Sequence, residues 1–154
     1  MGLEDSGHPV DVSLDGLPAN VGEVLDAARL LPRLVSGVVG IAAVGSWARA
    51  AGRADSDVDL VVLANEPSRL LDDRSWLTIF GNEAVLVGER NFGLLQERRL
   101  RRPDALEVEV GVAGPEWAAL PPDPGTARVV REGVHVLFDP EGLFAELIRV
   151  VRPD

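Results

Sequence analysis

The sequence predicts a single α/β domain, and three observations predict it. Two short apolar runs, Val38–Val44 and Leu60–Ala64, have the length of buried strands. The segment Leu106–Val112 alternates valine with glutamate, the pattern of a strand with one buried face. Apolar residues recur at helical spacing before the first run and again near the C-terminal end. At 154 residues the chain has the size of one domain and is long enough to bury a core.

Residues 1–18 mix Gly, Pro, Asp and Ser with isolated aliphatics, so a flexible N-terminal segment is expected ahead of a domain spanning 19–154. Asn20 and Glu23 read as a variant capping box, and Val21, Val24, Leu25, Ala28 and Leu31 then form one apolar helix face. Pro32 is expected to end or kink that helix before the strand Val38–Val44. Gly45-Ser46 closes the strand. Ser46 suits the N-cap of a short helix, Trp47–Ala51, that stops at Gly52. Ser56-Asp57-Val58-Asp59 then runs into the second strand, which makes the whole a β-α-β-like unit.

Beyond Ala64 the elements are shorter. Glu66–Arg74 reads as loop or helix, Ser75–Phe80 as helix, Ala84–Val87 as a strand, and Leu94–Leu100 as a strand or arm. Pro103-Asp104 marks a turn before the alternating strand, where Val108, Val110 and Val112 face one side and Glu107, Glu109 and Gly111 the other. Arg98, Arg99, Arg101 and Arg102 are split between faces by the same alternation and are expected to be solvated or paired with carboxylates. Trp117 reads as a loop anchor and Pro121–Gly125 as a rigid connector to a short segment, Thr126–Glu132. A strand at Val134–Phe138 follows, then Asp139-Pro140 as cap and first helical position of a last amphipathic helix.

The chemistry is concentrated at Asp57 and Asp59. On a strand both point the same way, roughly 7 Å apart, where like charges beside a buried strand are costly. A divalent cation removes that cost, and oxygen ligands completed by water and phosphate suit Mg²⁺. Gly45-Ser46, at a helix N-terminus, would offer backbone N–H groups and a hydroxyl to an anion.

Composition narrows the alternatives. All fifteen basic residues are arginine, so a Walker-type phosphate loop and Schiff-base chemistry are excluded. The glycine spacing after Val44 does not give a dinucleotide fingerprint. A formal net charge of −10 disfavours nucleic acid as a partner. The chain has no cysteine, no apolar run long enough to span a membrane and no visible signal peptide, so a cytoplasmic location is expected.

Gly45-Ser46, ten intervening residues and Asp57-Val58-Asp59 between apolar strands together resemble the signature of the DNA polymerase β-like nucleotidyltransferase superfamily. The fuller string GSWARAAGRADSDVDLVVL is most similar to the small stand-alone minimal and aminoglycoside nucleotidyltransferases. The resemblance implies a mixed β-sheet with acidic residues on one face and helices packed on the other. It implies a nucleoside triphosphate as substrate, two Mg²⁺ ions, and transfer of a nucleoside monophosphate, AMP in the expected case, to a hydroxyl with release of pyrophosphate. The acceptor would be a small molecule or a partner protein, and a large acceptor site would be shared with a second copy of the chain or a partner. By resemblance Asp57, Asp59 and a third carboxylate are catalytic and metal-binding; Glu109, two residues before Gly111, is favoured over Glu107. Gly45, Ser46 and Arg49 fall to nucleotide binding. A binding module of the same fold without catalysis is the rival reading.

Overall fold

The computed structural model describes residues 17–48, 52–53 and 56–151. Apart from Leu17 and Pro18, the N-terminal segment expected to be flexible lies outside the described residues, as does Arg49. Six strands form one mixed sheet in the order β3-β4-β5-β2-β1-β6, an α+β architecture as the sequence leads one to expect. The strands are β1 (Val38–Val44), β2 (Val58–Ala64), β3 (Val85–Phe92), β4 (Leu95–Arg101), β5 (Glu107–Ala113) and β6 (Val134–Phe138). Helices α1 (Ala19–Leu34), α2 (Pro67–Asp72), α3 (Pro124–Glu132) and α4 (Leu143–Val151) join them, with 3₁₀ turns at Ser75–Phe80 and Pro115–Ala118. No helix among the described residues is long and apolar enough to cross a membrane.

Helix α1 buries the face read from its periodicity: Val21, Val24, Leu25, Ala28 and Leu31 are all at most 2% exposed. Its start corrects the capping-box expectation. The Pro18 carbonyl takes the Gly22 N–H at 3.0 Å, and Asn20 sits inside the first turn with its amide donating to Asp104. The helix also runs two residues past Pro32 to Leu34, where the Val35 N–H closes it on the Leu31 carbonyl. One lost backbone bond near a helix end is outweighed by the apolar face that Leu31 completes.

The expected β-α-β-like unit is corrected by the register. β1 and β2 are adjacent but antiparallel, with Val44 opposite Asp59 and Ala42 opposite Val61. A β-α-β crossover would make its strands parallel. The parallel neighbour of β2 is β5, reached only after the β3–β4 hairpin, with Asp59 opposite Glu109 and Val61 opposite Gly111. Ser46–Ala48 form a turn, and the remainder of the expected short helix falls on residues 49–51, outside the described residues.

Two cores flank the sheet. On one face α1, Leu70 of α2 and Trp76, Leu77 and Phe80 pack on Ile41, Leu60, Val62, Val108 and Val110. On the other, Trp117, Val130 of α3, and Phe144 and Leu147 of α4 pack on Ala42, Val61, Leu63 and Ala113. Because Asp59, Val61 and Leu63 share a face, the acidic side of the sheet is open at the Asp59 end and roofed at the Leu63 end. That half-covered face makes the site. Helix α3 starts on an Asp-Pro pair, with Asp123 accepting the Gly125 N–H at 2.9 Å. α4 corrects the expectation: Pro140 lies in a turn ahead of the helix, which begins at Leu143, and Asp139 accepts the N–H groups of Phe144 and Ala145 from that turn at 3.2 and 3.0 Å.

Candidate active site

A row of side chains crosses four strands on the acidic face: Arg99, Glu109, Asp59 and Val44, each directly opposite the next. Neighbouring strands are roughly 4.8 Å apart, so Asp59 and Glu109 stand side by side. Asp57 lies just before β2, and Glu109 acts on both aspartates, raising the affinity of each for its proton. Burial and like charge shift the acidities. Burial pushes the Asp59 carboxyl up to about 8, with Glu109, Asp57 and Glu97 adding to it. Asp57 is raised too, by burial first and then by Glu109. Arg99 opposes this from the other side, its own affinity for its proton raised chiefly by Glu109.

Local sequence fixes this arrangement. Gly45 has φ of 79°, and a Cβ there would overlap the Asp59 carboxylate. A left-handed conformation and a close approach both demand glycine. Trp47 is buried, donates its indole N–H to the Ser56 carbonyl at 3.3 Å, and packs on Gly52. Ser56 in turn binds Arg53 twice, its N–H donating to the carbonyl and its hydroxyl accepting the N–H, each at 2.9 Å. These bonds aim the entry to β2, and hence Asp57 and Asp59.

The next row is Glu97, Gly111, Val61 and Ala42. Gly111 leaves the floor flat, and the Leu95 side chain lies over it. Above is a cavity of about 630 Å³, reaching Gly45, Asp59 and Glu109 at one end and walled by the Phe92–Leu95 hairpin tip, Trp117 and α3. Trp117 is the anchor expected of it, edge-on to Phe144 with its carbonyl accepting the hydroxyl of buried Thr126.

The sequence-derived residues separate as follows. Asp59 stands opposite Glu109, Asp57 lies just before β2 where Glu109 still raises its pKa, and Gly45 abuts Asp59. Ser46 begins the adjoining turn. Glu107 is drawn aside by Arg101, which reaches it at 2.8 Å, and by Arg99 at 3.4 Å. Arg49 lies outside the described residues. Sequence reading missed Arg99 as part of the site, although its cross-strand position opposite an acidic alternation is a signal once the hairpin is paired. It also took Trp47 for a helix residue rather than the loop's anchor.

The carboxylates of Asp59 and Glu109, opposite one another on neighbouring strands, with Asp57 just before β2, are the oxygen chemistry that suits a hard divalent cation, which would relieve their like charge. The fit is incomplete at Glu109, whose Oε2 lies 2.6 Å from the Arg99 guanidinium. Among the described residues no three carboxylate or imidazole side chains already converge as a ligand set.

No curated protein matches the sequence. The model of the nucleotidyltransferase domain family does match it, over residues 26–130. That span holds β1 through most of α3, and with them every residue of the acidic face. More than half of the chain being matched, with the Gly-Ser turn and the paired aspartates inside the match, the protein belongs to the nucleotidyltransferase domain family.

Proposed function

We propose that this protein transfers a nucleoside monophosphate, AMP in the expected case, from a nucleoside triphosphate to a hydroxyl acceptor, releasing pyrophosphate. The observation that carries the reading is Asp59 beside Glu109, on parallel neighbouring strands at the mouth of the cavity. Bound Mg²⁺, two ions in this reading, would neutralise the carboxylates and stabilise charge on the phosphate under attack. Asp57 and Asp59 hold that charge in place, and Glu109 orients the acceptor hydroxyl and takes its proton. Gly45 and Ser46 hold the triphosphate tail, joined in this reading by Arg49. The α-phosphorus is then attacked in line, one P–O bond forming to the acceptor as the bond to pyrophosphate breaks.

The acceptor reading that the cavity favours is a small molecule, since about 630 Å³ is the volume of ordinary ligand pockets. A partner protein's hydroxyl is the alternative. One observation favours the non-catalytic binding module instead: the Arg99 ion pair on Glu109.

Thermal melts with MgATP, MgGTP, MgCTP and MgUTP test the reading. Ligand at 100 times its dissociation constant should stabilise the fold by about 2.7 kcal/mol, and the shift should vanish in Asp57→Asn/Asp59→Asn. No shift with any triphosphate would move the binding module to first place.

A further inference from the structure

Carboxylates crowd the acidic face, and Arg99 is set among them. Arg99 stands opposite Glu109 in register, reaching its Oε2 at 2.6 Å and Glu107 Oε1 at 3.4 Å. Its side chain is 28% exposed, enough for an incoming anion to meet it. The neighbouring arginines do other work. Arg98 is opposite Val110, on the face that packs against α1, and lies near Glu89. Arg101 reaches Glu107 alone. Arg102 ties the β4–β5 turn to α1 through Asp104, Glu23 and the Phe80 carbonyl. Of these four, only Arg99 touches the carboxylate that stands beside Asp59.

We propose that Arg99 is a positioning residue: a resident counter-cation that holds Glu109 beside Asp59 and competes with free divalent metal for it. Metal would then bind well only together with the phosphates of a nucleotide. The proposal rests on the metal and nucleotide reading given above. A charge-assisted bond to a carboxylate oxygen fixes the side chain on the strand opposite Asp59. Metal arriving alone must take Glu109 from Arg99 and leave a guanidinium poorly matched. A nucleotide brings phosphate oxygens that suit the same planar fork, so the arginine loses nothing when Glu109 turns. Metal and nucleotide each help the other to bind, and by linkage the help is reciprocal.

Calorimetric titration of Mg²⁺ alone into the metal-stripped protein tests this without any need for an acceptor. Removing an opposite charge in contact with a carboxylate is worth a factor of ten or more, so Arg99→Gln should tighten Mg²⁺ binding about tenfold. Arg99→Lys, which keeps a charge but loses the fork, should tighten it about threefold, and Arg101→Gln, which strips the same charge from Glu107, less than about twofold. Equal effects in Arg99→Gln and Arg101→Gln would reduce the matter to net charge and overturn the proposal. So would unchanged or weaker binding in Arg99→Gln. If that variant does not fold, Arg99→Lys against Arg101→Gln decides by the same comparison. A wild type that binds no magnesium nucleotide fails the nucleotide reading itself. Intact nucleotide binding with unaltered metal affinity in the Arg99 variants fails this inference alone.

Discussion

Asp59 should make the metal-free protein less stable as pH rises through neutrality, and Asp59→Asn should abolish that loss. The ordinary carboxyl titrates at 3.8, and burial with Glu109 alongside raises Asp59 to about 8 in the folded protein. Between those values the folded state keeps a proton that the unfolded chain has released. Its contribution to stability is therefore complete below 3.8 and is lost as pH climbs through about 8. One extra proton bound by the folded state gives a slope of about −1.4 kcal/mol per pH unit. From pH 5 to 8 the wild type should lose about 2–4 kcal/mol, the smaller figure applying where Asp57 carries part of the proton. Urea unfolding in chelator at pH 5, 6, 7 and 8 measures it. Asp59→Asn has no charge to bury, so its curve should be flatter by that amount and lie above wild type at pH 8. Parallel curves for the two proteins would refute the argument, because other titrating groups are common to both.

Gly45→Ala should cost about 2–3 kcal/mol, from the left-handed backbone and the Cβ set against Asp59, and should also weaken magnesium nucleotide binding; denaturant melts and titration measure both. Arg102→Ala should cost about 2–3 kcal/mol in the same melts, through the orphaned Phe80 carbonyl and the loss of Glu23 and Asp104, yet leave nucleotide affinity unchanged. Ala105, at φ of 75° in the turn between β4 and β5, is the one described non-glycine residue with positive φ. Ala105→Gly should accordingly raise stability by about 0.5–1 kcal/mol.

What could be read from the sequence was local. The apolar runs Val38–Val44 and Val134–Phe138 are strands with the bounds their composition suggests, because a buried strand leaves little choice of residue. Alternation placed Glu109 with Asp59's face once the strands were paired. Pairing itself was not legible. β1 and β2 read as one β-α-β-like unit, yet they run antiparallel, since nothing in either strand encodes the direction of its neighbour. Arg99 was hidden for the same reason: alternation gives its face, while only the register of β4 on β5 sets it against Glu109. β3 was expected only to Val87, since its outer half, Glu89–Phe92, is exposed and lacks an apolar pattern. The Asp123-Pro124 start of α3 carries a cap-and-proline pair that the prolines before it masked, whereas the same pair at Asp139-Pro140 lies in a turn ahead of α4, so the pair alone does not fix a helix start. The acidic face also carries its own helices at the Leu63 end, and these turn an open sheet into a cavity.

An α-phosphate label follows nucleotidyl transfer directly. The protein would be incubated with Mg²⁺, an α-labelled nucleoside triphosphate and a pool of small hydroxyl compounds, with pyrophosphate counted against label leaving the nucleotide. Equal amounts of pyrophosphate and of α-label joined to an acceptor are expected, both lost in Asp59→Asn. Label that stays on the triphosphate across the pool, or turnover that survives Asp59→Asn, would contradict the transfer reading.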